Sequence, residues 1–560
     1  MNMSKTLGLQ RVEWNKVNWR KLEKTLFKLQ KRIFRASSRG DCRAVRKLQK
    51  TLMKSWTAKM MAVRKVTQEN KGKKTAGVDG VKTLTPKERL SLVANLKVSK
   101  KGKPTRRVWI PKPGRTEKRP LGIPTMYDRA LQALTKMAIE PEWEARFEPN
   151  SYGFRPGRSC HDAIEAIFKS INQKPKWVLD ADIAKCFDKI NHDALLKKLN
   201  IYPSMRRLIR SWLKAGVMDN GTFSSTEEGT PQGGVISPLL ANIALHGMEE
   251  RIKQYAESMK GNKTRNRKAL SLIRYADDFV IMHKDQTVVE DCQRIINEWL
   301  KDMGLELKPS KTRITHTSEG FDFLGFNIRQ YQVGKNQSKQ GFKTIIKPSQ
   351  EKVLEHYGQL SQIIERHKAA PQAALISRLK PIIRGWCNYY SSVCSKETFS
   401  KLGYLLWNKL QRWGYRRHPK KSKGWVTKKY WGIIEDDNWT FRVNEELYLP
   451  KHAKTPIVRH VKVKESRSPY DGDLIYWSTR MGKHPEMPKQ KARLLKNQKG
   501  KCTHCGLTFR SDDLLEKHHI IPRSLGGTNK DENLELIHLH CHDAKHDTKV
   551  NSSELDENPW

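Results

Sequence analysis

Residues 273–282 read Ile273-Arg274-Tyr275-Ala276-Asp277-Asp278-Phe279-Val280-Ile281-Met282, so two adjacent aspartates separate two apolar runs. Burying ionised carboxylates costs free energy unless each has a cation or a hydrogen-bond donor. A β-hairpin that carries both acids in its turn, facing a cleft where divalent metal is held, removes that cost. Hard cations such as Mg²⁺ bind carboxylate oxygens together with substrate phosphates. The segment therefore predicts a metal-binding hairpin.

A second pair of acids, Asp180 and Asp182, lies in a segment whose side chains alternate with a period of two. That period places both aspartates on one face of a strand. The opposite, buried face is expected to carry Leu179, Ala181 and Ile183. A strand face with two acids and a turn with two more supply what a two-metal phosphoryl-transfer site requires. Each acid alone fits a solvated carboxylate, but the set in this order predicts a polymerase.

The composition favours nucleic-acid partners. The chain has 560 residues with 108 Lys and Arg against 58 Asp and Glu, a formal net charge of +50. Such a chain is expected to neutralise phosphates and to bind less tightly as salt rises; a surface made basic for solubility is the alternative. We expect no signal peptide and no membrane span, and therefore a cytoplasmic protein of bacteria or one of an organellar matrix. The nine cysteines suggest reduced thiols, with metal where they cluster.

The pattern along the chain changes several times. Basic helical sequence precedes alternating strands and helices that reach to about residue 347, which predicts an α+β sheet with helices packed on one face. Three helical patterns follow up to His418, and Pro381 within the second predicts a bend or break there. The sequence from 416 to about 490 is basic and rich in Trp and Tyr, and it predicts no particular fold.

The C-terminal part carries paired metal-ligand spacings. Cys502-x-x-Cys505 and His538-x-x-Cys541 suit a tetrahedral, structural Cys₃His zinc. His518-His519 and Asn533 lie between the two pairs, and His542-x-x-x-His546 begins directly after the second. One interpretation of this module is a zinc knuckle that only binds DNA.

At this point the sequence resembles the reverse transcriptases encoded within bacterial and organellar group II introns. The resemblance runs from about residue 70 to the C-terminus and rests on motifs in the family's order. These are Arg119-Pro120-Leu121-Gly122-Ile123-Pro124, Ser151-Tyr152-Gly153-Phe154-Arg155-Pro156, Asp182-Ile183-Ala184-Lys185-Cys186-Phe187-Asp188, Gly229-Thr230-Pro231-Gln232-Gly233-Gly234, Leu307-Lys308-Pro309-Ser310-Lys311-Thr312, Phe323-Leu324-Gly325 and Arg384-Gly385-Trp386-Cys387-Asn388-Tyr389-Tyr390. The C-terminal module looks like an HNH endonuclease.

The resemblance implies a role for each matching residue. Asp182, Asp277 and Asp278 would hold two Mg²⁺ ions. The expected nucleotide-binding residues are Lys112, Arg119, Phe187, Gln232, Gly233 and Lys311. Phe187 would lie beneath the sugar and exclude a 2′-hydroxyl, although a core aromatic is equally consistent with its position. Lys112 and Arg119 could equally be solvated surface cations.

The resemblance likewise assigns the nuclease residues. His519 would be the general base, and Asn533 would orient the loop that carries it. His518 and His542, with His546 as a third ligand, would hold a catalytic divalent ion. A histidine base suits neutral pH.

The expected fold class is multidomain α+β: polymerase fingers and palm with an antiparallel sheet and packed helices, an all-α thumb, and a small zinc-containing ββα-metal module. The expected domains are a basic helical extension (1–75), fingers and palm (76–347), a three-helix maturase or thumb domain (348–415), a DNA-binding region (416–490) and the HNH endonuclease (491–560).

The leading hypothesis is an intron-encoded protein that reverse-transcribes RNA, assists splicing and nicks target DNA to prime copying. Its partners would be intron RNA, a target DNA duplex, an RNA template with a DNA primer, and deoxynucleotides; both a monomer and a dimer stay open. One alternative is a reverse transcriptase with a fused nuclease from another prokaryotic element. The other is a splicing-only RNA-binding protein.

Overall fold

The N-terminal helices are amphipathic and basic. In the computed structural model, which describes residues 13–98, 101–111, 117–434, 437–510 and 513–546, α1 is Trp19–Ser38, α2 is Cys42–Lys54 and α3 is Trp56–Arg64. Leu22, Leu26 and Ile33 of α1 are buried in the first of three hydrophobic cores. The predicted helical character of this part of the chain is therefore confirmed over the residues described.

A small sheet and a long helix follow. The helix α4 (Pro86–Asn95) precedes the antiparallel strands β1 (Thr105–Pro111) and β2 (Lys118–Ile123), and α5 spans Met126–Glu144. The helix α5 begins at Met126, because the Thr125 side chain accepts a hydrogen bond from the Asp128 N–H and so caps the helix.

The central sheet is built from four antiparallel strands. They are β3 (Trp177–Asp182), β6 (Ser271–Tyr275), β7 (Asp278–His283) and β8 (Arg313–His316), in the order β6-β7-β3-β8. The short strands β4 (Val217–Asp219) and β5 (Thr222–Ser224) extend the β1–β2 sheet instead. The surrounding helices are α6 (Cys160–Ile171), α7 (Cys186–Lys189), α8 (His192–Leu199), α9 (Pro203–Leu213), α10 (Ser237–Leu245), α11 (Met248–Ser258), α12 (Lys263–Ala269) and α13 (Gln286–Lys301).

Helices cover both faces of this sheet, so the expectation of helices on one face is wrong. Leu179 on one face shares the first core with Ile296 of α13. Val178 on the other face shares the second core with Ile164 of α6. The face of β3 that carries Asp180 is therefore polar only near the end of the strand. Val178, on the same face but nearer the start of the strand, is apolar and is buried in the second core.

A three-stranded sheet and three helices come next. The strands are β9 (Phe321–Phe323), β10 (Phe326–Gln332) and β11 (Phe342–Pro348), and the helices are α14 (Gln350–Arg366), α15 (Gln372–Tyr390) and α16 (Lys396–Arg417). The three helices agree with the three helical patterns. A break at Pro381 is not found, because α15 continues through it. Leu379 and Ile383 are buried on either side of the proline, and this packing holds the two halves of the helix together.

The segment after α16, for which the sequence predicted no fold, is attached to the start of α6. It contains α17 (Lys423–Tyr430), the hairpin β12 (Trp431–Ile434) and β13 (Asp437–Phe441), and α18 (Leu474–Gly482). The buried carboxylate of Asp162, at the start of α6, accepts hydrogen bonds from the Val463 N–H (2.7 Å) and from Arg480. His460 also contacts this carboxylate, at 3.1 Å.

The last module docks against the first helix. It contains α19 (Lys489–Asn497), β14 (Leu515–His519), β15 (Leu534–His538) and α20 (Leu539–Lys545), which give a ββα arrangement. The Arg510 guanidinium lies 4.5 Å from the ring centre of Phe27. His540 Nε2 lies 3.6 Å from the Glu23 carboxylate.

Within the described ranges, no helix has both the length and the apolar character needed to cross a membrane.

Candidate active sites

The register of the central sheet brings the predicted acids together. Asp182, the last residue of β3, lies directly opposite Asp278, the first residue of β7. Asp277 occupies the turn between β6 and β7, next to Ala276, whose φ is +57°. The Ile183 N–H donates to the Asp277 carbonyl at 3.3 Å, which ties the turn to the end of β3. Three carboxylates from two distant segments thus meet at one end of the sheet.

The electrostatics of this cluster favour the binding of a cation. Burial, together with the charges of Asp277 and Asp182, raises the pKa of Asp278 to about 7. Burial, together with the charge of Asp278, raises the pKa of Asp180 to about 7. Lys311 Nζ lies 2.7 Å from Asp182 Oδ2. Burial opposes the charge of Lys311, but its hydrogen bond to Asp182 prevails and raises the pKa of the lysine. Crowded carboxylates with raised pKa values and an ion-paired lysine fit a site for divalent cations.

A buried arginine holds the turn in place. Arg274 donates to the Ala276 carbonyl at 3.0 Å, to Asn242 Oδ1 at 3.1 Å and to Ser151 Oγ at 2.8 Å. Its side chain is fully buried. Gly153 lies against the same turn, because a Cβ there would be 2.2 Å from the Ala276 nitrogen. The turn is therefore fixed from beneath by segments that are far apart in sequence.

Some of the residues predicted to bind the nucleotide line a common cavity, and others lie elsewhere. Phe187 and Gln232 line one cavity of about 260 Å³, with Gly122 on its wall. The Phe187 ring is half-buried and meets the exposed Phe154 ring edge-on at 6.0 Å. Gly233, with φ +110°, supports this wall, because a Cβ would be 2.9 Å from the Gly122 carbonyl.

Two of the cations predicted to bind the nucleotide, Arg119 and Lys311, do not line that cavity. Arg119 is exposed on β2, and its charge acts to lower the pKa of Asp277, which burial nevertheless raises. Lys311 is ion-paired to Asp182 instead of lining the cavity. Lys112 lies outside the described residues.

The zinc ligands predicted from spacing converge. Ligand atoms of Cys502, Cys505, His538 and Cys541 all lie within 4.8 Å of one another. His538 Nδ1 is 3.4 Å from Cys505 Sγ, and its Nε2 is 3.2 Å from Asp513 Oδ2. A carboxylate on the outer nitrogen of a ligating histidine fixes the ring orientation. These residues fit a tetrahedral zinc.

A second cluster lies in the same module. Ligand atoms of His518, His542 and His546 lie within 4.8 Å of one another, and His518 Nδ1 is 3.0 Å from His546 Nε2. Burial, followed by repulsion from neighbouring cations, lowers the pKa of His518, and burial likewise lowers that of His542. Neutral imidazoles are what a metal ion binds, so the three histidines fit a divalent transition ion.

Two amides shape the loop beside His519. Asn533 accepts from the Ile521 N–H at 2.8 Å and donates to the carbonyls of Ile521 (3.1 Å) and Thr528 (2.9 Å). Its position agrees with the predicted role in holding this loop. His519 Nε2 lies 2.9 Å from Asn529 Oδ1. A proton on Nε2, donated to Asn529, leaves the lone pair on Nδ1 as the basic position.

Sequence reasoning missed three residues that position these sites. Arg274 could have been suspected, because it is a charged residue within an apolar strand. Asp513 and Asn529 gave no signal, because a single polar residue in a loop has no period or spacing. The fold identifies their roles, because Asp513 contacts His538 and Asn529 contacts His519. Arg274 instead donates to the Ala276 carbonyl of the catalytic turn.

Comparisons with known proteins agree with this arrangement. Four family models match the chain: the N-terminal domain of reverse transcriptase at 14–96, reverse transcriptase (RNA-dependent DNA polymerase) at 110–328, the group II intron maturase-specific domain at 353–431, and HNH endonuclease at 502–548. Together they follow the chain from the first helix to the last module.

Curated relatives point the same way. The group II intron-encoded protein LtrA of Lactococcus lactis subsp. cremoris is 27% identical over 533 residues, covering 78% of this chain and 85% of LtrA. Protein YkfC of Escherichia coli is 35% identical over 302 residues, covering 47% of this chain and 78% of YkfC. The uncharacterised 91 kDa protein in the cob intron of Schizosaccharomyces pombe is 29% identical over 366 residues, covering 54% of this chain and 45% of that protein.

The four domain matches and the similarity to a group II intron-encoded protein thus support the same family. The chain belongs to the group II intron-encoded proteins, and it joins an RNA-directed DNA polymerase, an RNA-splicing maturase and an HNH DNA endonuclease in one polypeptide.

Proposed function

We propose that Asp182, Asp277 and Asp278 hold the two Mg²⁺ ions of the polymerase. The observation that supports this most directly is the register of β3 and β7, which sets Asp182 opposite Asp278. When bound, paired magnesium ions stabilise the attacking and leaving oxygens of nucleotidyl transfer. Lys311 balances the charge of Asp182, and Arg274 holds the turn through the Ala276 carbonyl.

Phe187 and Gln232 would receive the incoming deoxynucleotide. Both line the 260 Å³ cavity, and the bulk of the Phe187 ring would leave no room for a 2′-hydroxyl. Arg119 would meet the triphosphate, since its charge already acts on Asp277. Lys112 is assigned to the same group from the sequence alone.

Primer extension on an RNA template tests the polymerase site. Asp277→Ala should lower the extension rate by several orders of magnitude while splicing of the intron RNA by the same preparation persists. Asp302→Ala is a matched control, because Asp302 is an exposed aspartate just after α13. A wild-type extension rate in Asp277→Ala would show that the assignment of Asp277 as a metal ligand is wrong.

In the endonuclease, His519 would deprotonate the attacking water, with His518, His542 and His546 holding a divalent ion beside it. Asn529 would orient the base through its contact with His519 Nε2. Cys502, Cys505, His538 and Cys541 would bind a structural zinc. A Lewis-acidic ion at the three histidines would stabilise the charge that develops on the phosphate.

The nuclease and the polymerase would act in sequence during intron mobility. The nicked strand of the target duplex would supply the 3′ end that primes copying of the intron RNA. His519→Ala should abolish cDNA synthesis on an intact duplex, and a duplex supplied with the nick already made should restore it. If the pre-nicked duplex does not restore synthesis, the variant has lost more than nicking and the sequential scheme is wrong.

Residues 416–490 would contact DNA. Trp425 is exposed on α17, and the ammonium groups of Lys421 and Lys429 lie 5.5 Å and 4.9 Å from its ring centre. An exposed aromatic between cations suits base stacking combined with phosphate contact. Trp425→Ala should weaken binding of the target duplex more than it weakens binding of intron RNA, as measured by filter binding at several salt concentrations. Equal weakening would exclude a DNA-specific role.

A further inference from the structure

A third group of metal-binding side chains lies outside both active sites. Ligand atoms of His161, His484 and Glu486 all lie within 4.8 Å of one another. His161 belongs to the start of α6 in the palm, whereas His484 and Glu486 lie in the loop between α18 and α19. The group therefore bridges the polymerase and the segment that leads into the endonuclease.

Among the described residues, the δ nitrogens of both histidines make long contacts, His161 Nδ1 with Cys160 Sγ at 3.6 Å and His484 Nδ1 with the Glu486 N–H at 3.3 Å, which a metal ion can replace. His161 Nε2 is 2.7 Å from the Tyr389 carbonyl, an acceptor, so its proton sits on Nε2 and its lone pair on Nδ1. His484 Nδ1 accepts only a long contact, at 3.3 Å, from the Glu486 N–H. A ligating histidine whose other nitrogen donates to a carbonyl is a common arrangement in metal sites.

The distances suit one shared ion. His484 Nδ1 lies 3.9 Å from Glu486 Oε2, and the rings of His161 and His484 meet edge-on with centres 5.5 Å apart. Ligand atoms around a tetrahedral zinc are roughly 3.4 Å apart, so a small inward movement completes the geometry.

The surroundings of the group allow an ion to enter. Arg480, the neighbouring guanidinium, is already paired with Asp162. His484 also lines a cavity of about 660 Å³, which gives an ion a route from solvent.

We propose that His161, His484 and Glu486 form a third metal site, which takes a divalent transition ion such as Zn²⁺ and fastens the segment before the endonuclease to the palm. Two imidazoles and one carboxylate favour such an ion over Mg²⁺, which prefers oxygen ligands. The site goes beyond the polymerase and nuclease assignments and does not depend on them.

Metal content of the full-length protein tests the proposal. The protein is loaded with Zn²⁺, dialysed, and measured by inductively coupled plasma mass spectrometry. Glu486→Gln and His484→Ala should each lose one equivalent relative to wild type. Cys502→Ser should lose a different equivalent, so the double variant with Glu486→Gln should lose both.

A control variant and a conservative variant distinguish loss of the metal site from loss of the fold. His316→Ala removes a half-buried histidine that belongs to none of the three clusters, and it should retain the full metal content. Glu486→Gln changes an exposed side chain, so this variant should fold normally even if His484→Ala lowers the stability of the protein. Unchanged zinc in Glu486→Gln and His484→Ala would overturn the proposal, and so would an equal loss in His316→Ala.

Discussion

Replacing Gly153 with alanine should disable the polymerase without touching an acid. The added Cβ would lie 2.2 Å from the Ala276 nitrogen and 2.9 Å from the Tyr275 carbonyl carbon. Both are backbone atoms of the catalytic turn, so no side chain can rotate away. Ordinary contact begins at about 3.4 Å, and the two backbones must therefore separate by about 1.2 Å. That displacement would carry Asp277 and Asp278 away from Asp182.

The size of the effect follows from that displacement. A misplacement of about 1 Å in a catalytic group costs on the order of 10²-fold in rate, which corresponds to about 2.7 kcal/mol of activation free energy. Overpacking of this kind also lowers the free energy of unfolding by about 1–3 kcal/mol. The extension rate at saturating deoxynucleotide should therefore fall about 100-fold, and the Mg²⁺ concentration for half-maximal activity should rise.

The assay is primer extension on an RNA template over a magnesium titration, with target-DNA nicking by the same preparation as an internal standard. Gly334→Ala is the matched control, because a Cβ at Gly334 meets nothing within 4 Å. Wild-type extension by a folded Gly153→Ala protein would refute the reasoning, since the turn would then accommodate the methyl group without moving its aspartates.

Further predictions concern single groups. The pKa of Asp278 is raised to about 7 from about 3.9 when unfolded, so its ionisation costs stability as pH rises from about 4 to about 7. In magnesium-free buffer, Asp278→Asn should raise Tm more near pH 8 than near pH 5, and equal shifts in calorimetry would contradict this. His519→Ala should slow nicking about 10²–10⁴-fold and Asn529→Ala less, with primer extension unchanged; a larger loss in Asn529→Ala would reverse their roles. Cys502→Ser should release zinc and unfold the last module, seen as lost nicking with retained extension of an annealed primer, and a Tm and nicking rate equal to wild type would exclude a structural zinc.

Strong periodic and spacing signals predicted the parts of the fold that they describe. The period of two around Asp182 and the two aspartates at 277 and 278 predicted the strand and the hairpin turn that meet in the sheet. The paired spacings predicted which four residues would cluster around Cys502. In both cases the chemistry needs several residues at fixed intervals, and such intervals are readable in one sequence.

Features that depend on tertiary contact could not be read in that way. Arg274 holds the turn through Ser151 and Asn242, which come from other segments. Pro381 stays inside a helix because buried neighbours hold both halves. The carboxylate of Asp162 anchors residues about 300 positions further along the chain. No local pattern encodes any of these relationships.

The contact between Phe27 and Arg510 has a consequence for biosynthesis. At about 5–20 residues per second, a ribosome needs on the order of 25–100 s after making Phe27 to reach Arg510. Throughout that interval the aromatic ring on the first helix of the nascent chain has no guanidinium above it. We therefore expect the emerging polypeptide to need shielding on this face, by a chaperone or by its own transcript, until translation delivers the final module.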